Sequence, residues 1–164
     1  MNVLLVNASS EQHALEGALR SGLHRAFPGE IQEVDATKLS TIRSTESEDV
    51  RLARELLIAD AVVMLLPFNH ENGSAGSIDN WLHRSMVDGI TVMAMPDRME
   101  GLLDTKPVFL LKPNEPEVVE EDRSPEYRAR RGFASLGLND ITVVDIDPDR
   151  LPFGLDPGDE TRLN

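Results

Sequence analysis

The sequence predicts an α/β fold, a parallel five-stranded sheet covered by helices. Three observations predict it. Short apolar runs alternate with stretches of helical period from residue 2 to residue 146, which is the signature of repeated strand–helix units. Residues 2–7 and 61–66 are apolar on almost every consecutive position, as strands buried on both faces must be. Residues 59–84, ADAVVMLLPFNHENGSAGSIDNWLHR, read as a buried strand, a polar Gly/Asn-rich loop, and an amphipathic helix with the only tryptophan. That order builds a crevice at the carboxyl end of a parallel strand, where open α/β sheets bind ligands.

The elements follow in order. Residues 2–7 (NVLLVN) form the first strand. From 11 to 27, Leu15, Leu19, Leu23 and Ala26 recur at helical spacing, and Pro28-Gly29 stops the helix. Ile31–Asp35 is a second strand. Residues 49–59 place Ala53, Leu56 and Leu57 on one helix face, and residues 61–66 are the most apolar strand. Residues 77–86 form a third helix, with Ile78, Trp81, Leu82 and Ser85 near one face. An irregular connection rich in Met, Pro and Gly fills 88–105, and long loops of this kind are often functional. A fourth strand spans 107–111. Ser124-Pro125-Glu126 supplies an N-cap, a first-turn proline and an early acid for a helix to about Leu136, and Gly137 stops it. Residues 141–146 are the fifth strand. No internal repeat is present.

Five strands with four intervening helices fit a flavodoxin-like three-layer sandwich of strand order 2-1-3-4-5. The expected domain is 1–147. The remaining acidic, Pro/Gly-rich tail, 148–164, is a poor helix, so the last covering helix is expected to be missing. The tail instead offers Leu151, Phe153 and Leu155 for folding back or for embracing a partner.

At 164 residues one domain with a sizeable core is expected. No apolar run reaches the ~18 residues of a membrane span, and the first ten residues lack a basic signal-peptide start. The absence of cysteine excludes disulfides, zinc–thiolate sites and cysteine nucleophiles, and fits a cytoplasmic protein. A net charge of −13 opposes nonspecific binding to nucleic acid or anionic membranes.

On these residues the chain resembles the flavodoxin-like NAD(P)H dehydrogenases that include FMN-dependent azoreductases and quinone reductases. The resemblance covers about residues 1–147. It rests on NVLLVNASS at the first strand and loop and on ADAVVMLLPFN at the third strand. It rests also on Ser77-Ile78-Asp79-Asn80-Trp81-Leu82, Asp88-Gly89-Ile90-Thr91, residues 101–106 and Leu136-Gly137-Leu138. The resemblance implies FMN held by three loops, NAD(P)H as co-substrate, a small aromatic substrate and a homodimer.

The first implied loop is 8–13. Ser9 and Ser10 suit a phosphate at a helix N-terminus, with His13 assisting, or one serine simply caps the helix. The loop lacks the family's later serines, and Glu11 adds a negative charge. The second loop keeps Pro67, Phe68 and Asn69 of the family's P-M-Y-N-F pattern, but is one residue longer and places Asn69, His70 and Glu71 where aromatics are expected. Phe68 either packs on a flavin or plugs the core. The third loop, Lys112-Pro113-Asn114-Glu115-Pro116, replaces the family's glycine-rich turn and leaves Asn114 as its contact. Asp79 and His83 stand four apart on one helix face and can pair.

His70 and Glu71 also form a possible proton-transfer pair on the crevice loop. No zinc-like spacing recurs, so no metal is expected. Asp145-x-Asp147-x-Asp149 lacks the glycine and glutamate of a calcium loop. The basic run Tyr127-Arg128-Ala129-Arg130-Arg131 either attracts an anion or is a solvated face balancing the acids before it. The leading expectation is an oxidoreductase passing hydride from NAD(P)H through FMN to an aromatic acceptor. The alternative is a flavodoxin-like protein without FMN, either a cofactor-free enzyme using His70 and Glu71 or a binding partner.

Overall fold

The computed structural model describes residues 1–26, 29–39, 45–69, 74–115 and 123–147. Five parallel strands form one sheet: β1 (Val3–Asn7), β2 (Ile31–Asp35), β3 (Ala61–Leu65), β6 (Val108–Pro113) and β7 (Ile141–Ile146), in spatial order β2-β1-β3-β6-β7. The register is continuous, from Val6 beside Val34 and Met64, through Met64 beside Leu110, to Leu110 beside Val143. This is the expected order 2-1-3-4-5, with a small hairpin intervening. The hairpin, β4 (Val92–Ala94) and β5 (Met99–Gly101), is antiparallel and lies in the connection expected to be irregular. Three-residue strands without strong alternation leave little periodicity to detect.

Four helices cover the sheet: α1 (His13–Ala26), α2 (Glu46–Ile58), α3 (Ser74–Ser85) and α4 (Pro125–Ser135). Alternate residues of each strand face opposite layers. Leu4, Val6, Val62, Met64, Val108 and Leu110 meet the helices α2, α3 and α4 through Leu52, Leu56, Trp81 and Phe133. Val3, Leu5, Val63 and Leu65 meet α1 through Leu15, Leu19 and Leu23. Trp81 is fully buried, and its ring stands 5.8 Å from Phe133 at 60°, a tilted aromatic pair that fixes α3 against α4.

Helix bounds move by about a turn where capping decides them. The helix expected from residue 49 starts at Glu46, because the Thr45 hydroxyl accepts the Glu48 N–H at 3.3 Å. Its other end is capped at a distance in sequence: the Lys106 ammonium donates to the carbonyls of Leu56, Leu57 and Ala59 at 2.8, 3.1 and 2.6 Å. Ser124 caps α4 as expected, accepting the Tyr127 N–H at 3.1 Å. Gly137 turns the chain out of α4 at φ 96°, and the Leu138 N–H returns to the Phe133 carbonyl at 2.9 Å. Asp79 accepts a hydrogen bond from Arg128 of α4, which spends its charge between helices.

On the α1 side, the β6–β7 end of the sheet leaves Phe109 and Val144 partly open, at 36% and 39% exposure. Among the described residues no helix follows β7. The tail with Leu151, Phe153 and Leu155 lies outside them. No described helix is long and apolar enough to cross a membrane.

Candidate functional site

The carboxyl ends of β1, β3, β6 and β7 all point to one edge of the sheet, as parallel strands must. The loops leaving them therefore gather there. The loop after β1 is organised from within. Asn7 is buried; its Oδ1 accepts the Ser9 N–H at 2.9 Å, and its Nδ2 donates to Glu16 of α1 at 2.9 Å. The Ser9 hydroxyl is fully buried and accepts the Glu11 N–H at 3.3 Å. Ser10 and Glu11 are exposed beside it, and His13 is the first residue of α1.

Gln12, immediately before α1, is 2% exposed. Its Nε2 donates to the Leu66 carbonyl at 2.7 Å, and its Oε1 is buried without a hydrogen-bond partner among the described residues. The amide thus ties the start of α1 to the end of β3. Sequence inspection missed this role, because a lone glutamine in a polar loop gives no sign of which backbone group it meets.

The loop after β3 continues from Leu66, whose N–H donates to Leu111 at 3.0 Å, into buried Pro67 and half-buried Phe68 and Asn69. His70 and Glu71 lie outside the described residues. Lys112 and Pro113, expected in the loop after β6, complete that strand instead. They pair with Asp145 and Ile146 of β7, and the Asn114 N–H donates to the Ile146 carbonyl at 2.7 Å. A proline at the strand's end forfeits no ladder bond that the sheet needs. The loop that remains starts at exposed Asn114. Its next residue, Glu115, reaches back across the crevice. Both carboxylate oxygens accept the Asn69 N–H, at 3.0 and 2.9 Å.

Between these loops and the start of α4 lies a cavity of about 710 Å³. Pro67, Asn69 and Asn114, three of the expected contacts, line it together. Ser9 and Ser10 do not line it; they lie on the neighbouring loop. Its far wall is charged. Glu126 of α4 holds two cations, Lys112 at 3.3 Å and Arg130 at 3.1 Å, and Tyr127 and Asp145 complete the wall. Of the basic run 127–131, only Tyr127 and Arg130 face this cavity. Helical spacing turns Arg128 and Arg131 toward a second, smaller groove between α3 and α4.

The cavity and its loops sit in a recognisable architecture. The chain is similar to an azoreductase from Bacillus anthracis, with TM-score 0.65 and 18% identity over 98% of this chain and 96% of that one. It is similar to the azoreductase AzrA, with TM-score 0.64 and 19% identity over 98% and 96%. A provisionally assigned quinone reductase from Klebsiella pneumoniae matches with TM-score 0.62 and 16% identity, over 99% of this chain and 80% of that one. No protein-family profile and no curated protein matches the sequence. Identities this low carry the architecture alone. With the strand order β2-β1-β3-β6-β7 and helices on both faces, the fold of this chain is flavodoxin-like.

Proposed function

We propose that the chain is an oxidoreductase of the azoreductase and quinone reductase kind, with FMN at the carboxyl edge of the sheet and NAD(P)H as co-substrate. The observation that carries this reading is the cavity of about 710 Å³ lined by Pro67, Asn69 and Asn114, at the crevice where such folds take their ligands. The residues present suit the group. Leu66, Pro67 and Pro113 offer an apolar wall, and Asn69 and Asn114 offer polar edges; Phe68 does not line the cavity. The N-terminus of the fourteen-residue α1, with the exposed Ser10 hydroxyl, suits a phosphate. Ser9 shapes that loop from beneath, and His13 stands at the helix start.

FMN would supply hydride acceptance from NAD(P)H and electron delivery to an aromatic acceptor. The chain's part is to bind, to orient and to exclude water. Gln12 fixes the phosphate-side loop to the ring-side loop through Leu66. Tyr127 lines the far wall and would be the aromatic contact for an aromatic substrate. A homodimer is expected on the same resemblance, and light scattering reads it. A second reading, the same fold serving without flavin, draws on the acids in the cavity wall, Glu115, Glu126 and Asp145. Its His70 and Glu71 variant would use proton transfer.

Titration of the purified chain with FMN, followed by flavin fluorescence, tests the choice. Saturable one-to-one binding supports the reductase, and NAD(P)H oxidation with quinone or azo acceptors then follows. No binding at high FMN concentration removes it and leaves the flavin-free reading.

A further inference from the structure

We propose that Glu115 is a built-in competitor for the ligand, holding the Asn69 amide in the place a bound ring would take and setting the affinity of the crevice. The inference rests on the flavin reading above.

The geometry is specific. The Asn69 N–H is a backbone donor at the mouth of the cavity, and a ring carbonyl or ring nitrogen would need such a donor. Glu115 already meets it with both oxygens, at 3.0 and 2.9 Å, across 46 residues of sequence. Both residues line the cavity. A carboxylate on an N–H is a charge-assisted bond, stronger than a neutral one. Its anchor is firm, because Asn114 is pinned to β7 by its bond to the Ile146 carbonyl at 2.7 Å. Glu115 is thus one residue beyond a fixed point and reaches the second loop with its side chain alone. Rotation of that side chain would release the amide without moving the sheet.

Two consequences follow. A ligand presenting acceptors must displace the carboxylate before it gains the Asn69 bond. It also meets the Glu115 negative charge at the same spot. The free protein is meanwhile stabilised, since the bond joins the loops after β3 and β6. Removing Glu115 should therefore move two quantities in opposite senses: ligand affinity up, stability of the free chain down. A purely structural glutamate would lower both.

The test compares the full-length chain with Glu115→Ala and Glu115→Gln. FMN affinity is measured by fluorescence titration, and the melting temperature is measured without FMN. The proposal expects Glu115→Ala to bind FMN about tenfold more tightly, the worth of one charge-assisted bond at a half-buried site. It expects a lower melting temperature without FMN. Glu115→Gln keeps an acceptor and the fold but loses the charge, so it should fall between. Equal or weaker FMN binding by both folded variants, with the parent binding, overturns it and leaves the flavin reading intact. No FMN binding by any of the three folded proteins overturns both.

Discussion

The side-chain amide of Gln12 donates to the backbone carbonyl of Leu66 at 2.7 Å, although the two residues are 54 apart in sequence. One buried bond thereby sets the distance between the loop after β1 and the loop after β3. Those two loops would hold opposite ends of the proposed cofactor. Gln12→Leu preserves approximate size but leaves the Leu66 carbonyl unpaired. It should cost about 1–2 kcal/mol of stability, read from urea unfolding. FMN affinity should fall as well, because the two loops lose their common tether. An unchanged affinity would mean the loops keep their spacing without it.

Ser10 is the exposed hydroxyl of the first loop, whereas Ser9 is fully buried. Ser10→Glu should weaken FMN binding strongly while leaving the melting temperature nearly unchanged, since it adds charge at an exposed position. Ser9→Glu should instead unfold the loop or the domain, because its carboxylate would be forced into the core. Circular dichroism beside the FMN titration separates the two. Tight FMN binding by Ser10→Glu would move the phosphate elsewhere.

Glu55 supplies a pH dependence. Burial pushes its carboxyl pKa up from 4.5, outweighing the opposite pull of Arg51. One of its oxygens is buried without a hydrogen-bond partner among the described residues. In the window above 4.5 the folded chain keeps a proton that the unfolded chain has released. Its contribution to stability is complete below that window and is lost as the pH rises through the folded value. Glu55→Gln removes the penalty of the buried charge. Its melting temperature should exceed the parent's by a few degrees near pH 7, and the gap should close at pH 4. A gap that stays constant with pH would assign the effect to packing.

Gly137 adopts φ 96° where the chain leaves α4. A side chain there is strained, and its Cβ would also stand 2.9 Å from the Leu103 carbonyl oxygen. Gly137→Ala should cost about 1–2 kcal/mol, measured by chemical denaturation. A neutral result would show that the turn rearranges at no cost.

The fold was legible because it depends on local patterns. Consecutive apolar residues at 3–6 and at Ala61–Leu65 can be satisfied only between two helical layers, and the 3.6-residue period of Leu15, Leu19 and Leu23 makes one face of a helix. Ser124, Pro125 and Gly137 mark their boundaries by backbone chemistry that needs no neighbour. The hairpin β4–β5 was missed because three-residue strands carry too little pattern. The end of β6 was misplaced because Pro113 looks like a loop residue until Ile146 is seen beside it.

The candidate site divides in the same way. The crevice position followed from strand and loop order, and the resemblance pointed to its loops; of the residues named on it, Pro67, Asn69 and Asn114 line the cavity, whereas Ser9, Ser10 and Phe68 do not. Which side chains cross it did not. Gln12 meeting Leu66, Glu115 meeting Asn69, Glu126 holding Lys112 and Arg130, and Lys106 capping α2 all join residues distant in sequence. Hydrophobic period and turn chemistry are properties of neighbours along the chain, so the sequence by itself determined the layers and their order. A polar side chain's partner is set by whatever the sheet brings within about 3 Å, and only the tertiary structure decided that.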